Sequence, residues 1–183
     1  MESYLVSIIK QFEYYKSLGD KTFNQLTFDE IQWQSSEDSN SISIIAKHII
    51  GNMLSRWTNF LTEDGEKPWR NRDDEFKDTY TSKEDLLAAW ETGWFCLLNT
   101  LKSLKTEDLE RIIYIRNEGH TVTEAINRQL AHYPYHIGQI VFLGKLLKND
   151  QWQSLSIPKG DSQKYNDAKF KKEKGIRHFT DDV

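Results

Sequence analysis

Apolar positions in this chain recur at intervals of three and four in four separate stretches, the spacing that paints one face of an α-helix. Over residues 4–18 the stripe is Leu5, Ile8, Ile9, Phe12, Tyr15 and Leu18, and Gly19-Asp20 reads as its end. Over residues 41–61 it is Ile42, Ile45, Ile49, Met53, Trp57 and Phe60, with Ser39 or Asn40 in front to accept bonds from the first-turn N–H groups. A third helix is predicted over residues 81–104. It opens on a capping box, Thr81 with Glu84, and carries Leu86 or Leu87, Trp90, Trp94, Leu97 and Leu101. The fourth, over residues 121–147, has the same opening, Thr121 with Glu124, and closes at Asn149-Asp150.

The segments between them lack this period. A polar loop containing Trp33 follows the first helix, and a charged loop with Gly65 and Pro68 follows the second. In "RIIYIRNEGHTV" the run Ile112, Ile113, Tyr114, Ile115 favours extended backbone and "NEGH" reads as a turn, which predicts a short extended stretch or small hairpin. Beyond Pro158 the chain is polar and charged and reads as an extended arm. Four amphipathic helices with two long connections predict an all-α four-helix bundle, with a domain over residues 1–166 and a charged tail over 167–183.

Composition narrows the function classes. The 183 residues carry 28 acidic and 24 basic side chains, a balance that argues against binding nucleic acid by phosphate neutralisation. No apolar run approaches the ~18 residues of a membrane span, and no basic leader opens the chain. The single cysteine, Cys96 in "WFCLL", cannot form an internal disulfide and reads as a small apolar side chain in a reducing, cytoplasmic protein. HExxH, G-x-S-x-G, C-x-x-C and phosphate-cradling glycine loops are absent.

Candidate chemistry collects on the second and fourth helices. His132 and His136 in "AHYPYHIGQI" stand one helical turn apart, where two imidazoles can converge on one ion with nitrogens at ~2.0–2.1 Å for zinc. His48 borders the apolar stripe of the second helix and is the candidate third ligand. Asn52 and Arg56 follow it at one-turn intervals, and Arg128 and Gln139 share the histidine face of the fourth helix. Gln139 is a candidate to orient a histidine or bound water, Arg128 to hold a carboxylate, and Tyr135 reads as packing. His120 precedes the fourth helix and His178 lies in the tail, so neither joins this set. Pro134 stands between the pair; it removes a backbone donor and costs ~3 kcal/mol inside a helix, so the pair depends on a helix that kinks without breaking.

With these residues placed, the sequence resembles the DinB-like superfamily, on "AKHIIGN" in the second helix, "TVTEAINRQLAHYPYHIGQIVFLGKLLK" in the fourth and "WQSLSIPKGDSQKYN" after it. The resemblance covers the chain to about residue 166 and is greatest to a branch of unknown function. It implies an up-down-down-up bundle, commonly a homodimer, with nickel, zinc or a similar divalent ion held at the positions of His48, His132 and His136. Some members are thiol-dependent enzymes, among them bacillithiol S-transferases and a mycothiol-dependent isomerase. The expectation is therefore a divalent-metal protein with a small-molecule substrate, acting as a low-molecular-weight-thiol S-transferase on small electrophiles. A metal-dependent hydrolase and a non-catalytic metal-binding or dimeric interaction protein are the alternatives.

Overall fold

A computed structural model describes residues 2–181. Its four long helices are α1 (Glu2–Gln25), α3 (Ile42–Trp57), α4 (Lys83–Ser103) and α5 (Val122–Lys148). The short helix α2 (Phe28–Gln32) lies in the first connection and α6 (Ser162–Phe170) in the C-terminal arm. Strands β1 (Ile112–Ile115) and β2 (Glu118–Thr121) form one antiparallel hairpin that leads directly into α5. Packing runs α1 on α5 and α3 on α4, and α3–α5 and α1–α4 contacts close the four-helix bundle.

The stripes read from the sequence form the core. Phe12, Ile49, Met53, Trp57, Trp90, Trp94, Leu97 and Ile140 are all buried, joined by Phe23 and Tyr133. The edge-to-face pair Phe23–Trp90, with centroids 5.1 Å apart, ties α1 to α4, and Trp90 in turn packs edge-to-face on Trp94 of its own helix at 5.5 Å. Cys96 is half-buried, its Sγ 3.6 Å from Thr58 Oγ1.

Three boundaries differ from the sequence reading. Helix α1 does not stop at Gly19-Asp20 but continues to Gln25. Gly19 is there for close approach: a Cβ would come within 2.6 Å of Trp90 Cζ2, and Asp20 Oδ1 accepts the Trp90 indole N–H at 2.8 Å. Ser41, not Ser39 or Asn40, caps α3, with Oγ accepting from Ile44 N. In "TSKED" the frame is one residue later than Thr81–Glu84: Ser82 Oγ accepts from Asp85 N. The Thr121–Glu124 box of α5 forms as expected.

The hairpin turn is Arg116-Asn117 rather than "NEGH", and both residues take positive φ, +56° and +61°, as a two-residue turn between right-twisted strands requires. Asp64 holds it, Oδ1 accepting from Arg116 N and Oδ2 from Asn117 N, while Gly65 N donates to Tyr114 O. The loop after α3 is thus fastened to the hairpin before α5. The arm after Pro158 is not wholly extended, since it includes α6, and it returns to α1 through Ser7–His178 and Lys10–Asp181. Among the described residues no helix is long and apolar enough to cross a membrane.

Candidate metal centre

Helix α5 runs unbroken through Pro134, so His132 and His136 stay on one face. Tyr133, the residue that proline biases away from helical angles, is fully buried against Phe12 and Trp94, and this packing holds the helix. His48 faces the pair from α3. His132 Nε2 lies 3.4 Å from His48 Nε2 and 3.1 Å from His136 Nε2, and the three ligand atoms all fall within 4.8 Å of one another.

Each ring has an acceptor on its other nitrogen. His48 Nδ1 is 2.9 Å from Glu75 Oε2, His132 Nδ1 3.3 Å from Gln129 Oε1, and His136 Nδ1 2.8 Å from Gln139 Oε1. Carboxylate and amide oxygens accept only, so each Nδ1 carries the proton. Burial, reinforced by His136 and His48, pushes His132 down to about 4. Burial lowers His136 too, over the opposing effect of the hydrogen bond that its Nδ1 donates to Gln139 Oε1. With each Nδ1 donating to its own acceptor, every neutral ring turns its Nε2 lone pair toward the other two.

Lone pairs 3.1 and 3.4 Å apart repel unless a cation lies among them. Two nitrogens each ~2.05 Å from one ion stand ~3.3 Å apart at a tetrahedral angle and ~2.9 Å apart at a right angle. The two separations from His132 fall in and beside that range, and with all three ligand atoms within 4.8 Å of one another His48, His132 and His136 could hold one divalent ion. This orientation of each imidazole by an acceptor on its far nitrogen is the usual outer support of a metal-ligating histidine.

Glu75 comes from a 3-10 turn, Asp73–Phe76, in the charged loop between α3 and α4. It is buried, and Arg70 grips it with Nε–Oε1 at 2.7 Å and Nη2–Oε2 at 3.0 Å. Burial alone would raise its pKa, but bonds from His48 and Arg70 outweigh this and hold the carboxyl below its ordinary value. Gly51 makes the approach possible, because a Cβ there would collide with Glu75 Oε1. Phe76 stacks on the His48 ring at 5.2 Å.

The other sequence candidates divide. Gln139 orients His136. Asn52 is bonded away from the histidines: its Oδ1 accepts from Tyr133 Oη at 2.9 Å, and Tyr133 in turn accepts from Trp57 Nε1 at 3.0 Å. Arg128 is exposed and lines, with Asn52, Gln129, His48 and His132, a cavity of about 280 Å³. Tyr135 is 63 % exposed and lies beside His136 instead of packing in the core. His120 lies in β2 opposite Ile113 and His178 meets Ser7, both outside the cluster.

Sequence reasoning missed Glu75, Arg70 and Gln129. Gln129 stands three residues before His132 as Gln139 stands three after His136, a symmetry that was readable. Glu75 had no periodic signal, lying 27 residues from His48 in an irregular loop.

No curated protein matches the chain. A family model matches residues 1–161, and with this extent of match the chain belongs to the DUF1572 family, described as a protein of unknown function.

Proposed function

We propose that this protein is a divalent-metal-dependent enzyme that joins a low-molecular-weight thiol to a small electrophile. The convergence of three Nε2 lone pairs, each ring fixed by its own acceptor, carries the metal part of this reading. A bound ion would supply Lewis acidity, lowering the pKa of a thiol or water beside it. Three neutral ligands leave the charge of such an ion undiminished.

The chain's own residues favour thiol transfer over hydrolysis. Among the described residues no carboxylate lines the cavity beside His48 and His132. Glu75 is committed to His48 and Arg70, and Glu66 to three arginines. Neither is free to take a proton from water as a general base. In the transfer reaction the thiol sulfur bonds to the electrophilic carbon, the bond to the leaving group breaks, and the thiol proton passes to solvent. Asn52, whose Oδ1 is engaged by Tyr133, keeps its amide N–H groups for a ligand in the cavity.

The resemblance to DinB-like proteins supports the same reading, and with it nickel or zinc as the ion and a homodimer; the lone Cys96 supports a reducing, cytoplasmic location. The test is elemental analysis followed by consumption of 1-chloro-2,4-dinitrobenzene with bacillithiol, cysteine or coenzyme A. Metal-loaded protein is expected to accelerate the reaction with at least one thiol, and a folded H48A/H132A/H136A variant to lose both metal and rate. A metal-loaded protein inert with every thiol would leave a binding protein without turnover.

A further inference from the structure

Five arginines line the cavity beside the histidine cluster: Arg56 from α3, Arg70 and Arg72 from the charged loop, Arg116 from the hairpin turn and Arg128 from α5. Like charges gathered from four segments repel, and the two carboxylates paired with them, Glu66 and Glu75, offset five positive charges only in part. Glu75 pairs with Arg70, and one carboxylate oxygen, Glu66 Oε2, is shared by Arg56, Arg70 and Arg116 at 3.1, 3.3 and 3.0 Å. Arg72 lies over the Phe76 ring, and neither it nor Arg128 has a carboxylate partner among the described residues. Arg56 is only 5 % exposed, yet its buried Nε meets no acceptor among the described residues. Arg116 is held in the left-handed region by Asp64, a conformation that side-chain-bearing residues rarely adopt.

We infer that this cavity is an oxyanion site, taking the carboxylate or phosphate group of a small ligand whose reactive end faces the histidine cluster. Guanidinium groups match both oxyanions through paired N–H donors, and in a recess walled by protein such bonds are strengthened. At about 280 Å³ the cavity suits a small molecule or the charged end of a larger one. The inference gives the proposed enzyme a substrate class. It rests on that reading for the reaction, but not for the binding.

Isothermal titration with malonate and with inorganic phosphate separates the two oxyanion sources, with malonamide as the neutral control. Each is run on metal-free and on metal-loaded protein. At least one anion is expected to bind both forms, weakening as salt rises, and malonamide to bind neither. R72A/R128A, two changes outside the core, should keep wild-type metal content and lose roughly tenfold in anion affinity per arginine. Failure of both anions to bind folded protein, or binding that needs the metal and ignores R72A/R128A, overturns the inference. Protein that takes up no metal but binds malonate refutes the metal reading alone; protein that holds metal and ignores both anions refutes this one alone.

Discussion

Glu75 Oε2 sits 2.9 Å from His48 Nδ1, and the space that lets it do so is the missing side chain of Gly51 on the same helix as His48. The carboxylate fixes the ring and makes Nε2 a stronger donor. Metal affinity should therefore fall about 10–100-fold in Glu75→Gln, the usual cost of losing an outer partner of a ligating histidine. Gly51→Ala should do the same from a distance by pushing Glu75 away. Competition with a chromophoric chelator measures both, and wild-type affinity in either variant would remove Glu75 from the site.

Three converging lone pairs predict a gain in stability on metal addition. An ion at a hundred times its Kd stabilises by about 2.7 kcal/mol, which is roughly 5–10 °C in Tm for a chain of this size. Differential scanning fluorimetry with nickel or zinc should show the rise, EDTA should reverse it, and H48A/H132A/H136A should not respond. Equal shifts in the wild type and the variant would place the ion elsewhere.

The Asp64 clasp should open in acid. Burial pushes the Asp64 pKa up, but the backbone N–H groups of Asn117, Glu66 and Arg116 and the charge of Arg56 outweigh it, leaving the carboxyl below its ordinary value. A depressed folded pKa contributes stability that is present above the unfolded pKa of about 3.9 and is lost as pH falls through the folded one. Hydrogen exchange at the Arg116 and Asn117 amides should lose protection over that acidic window. Asp64→Asn should show the weakened protection already at neutral pH. Protection in the wild type that survives acid unchanged contradicts the clasp.

Tyr133 is completely buried and links Trp57 Nε1 to Asn52 Oδ1 across α3 and α5. Tyr133→Phe leaves the Trp57 N–H without its acceptor and should cost about 1–3 kcal/mol. A lower urea midpoint with unchanged slope is the expected result. An unchanged midpoint would mean that solvent or a moved side chain satisfies the indole.

The fold was largely readable because four helices bury continuous stripes, and Phe12, Met53, Trp94 and Ile140 occupy the core positions their spacing assigns. The boundary error at Gly19-Asp20 arose because a local stop signal served a distant purpose, close approach to Trp90. The three histidines were readable for the same reason as the core, since helical spacing places them. Glu75, Arg70, Arg72 and Arg116 were not. The three arginines reach the cavity, and Glu75 reaches His48, from an irregular loop and a hairpin turn, whose paths depend on tertiary bonds such as Asp64 to Arg116 and Arg70 to Glu75.

Pro134 lies inside a continuous α5, between His132 and His136. Proline has no N–H to give the Leu130 carbonyl, and in a helix interior this lost bond and the ring clash together cost ~3 kcal/mol. The helix persists because Tyr133 and Ile137 are anchored in the core on either side. Pro134→Ala restores the donor without touching either ligand, so the protein should gain up to ~3 kcal/mol while its metal affinity changes by less than about twofold. Chemical denaturation and chelator competition on the same variant separate the two effects. If stability rises but affinity collapses, the proline sets the angle at which His132 and His136 converge, and the site depends on a kink and not on helical spacing alone.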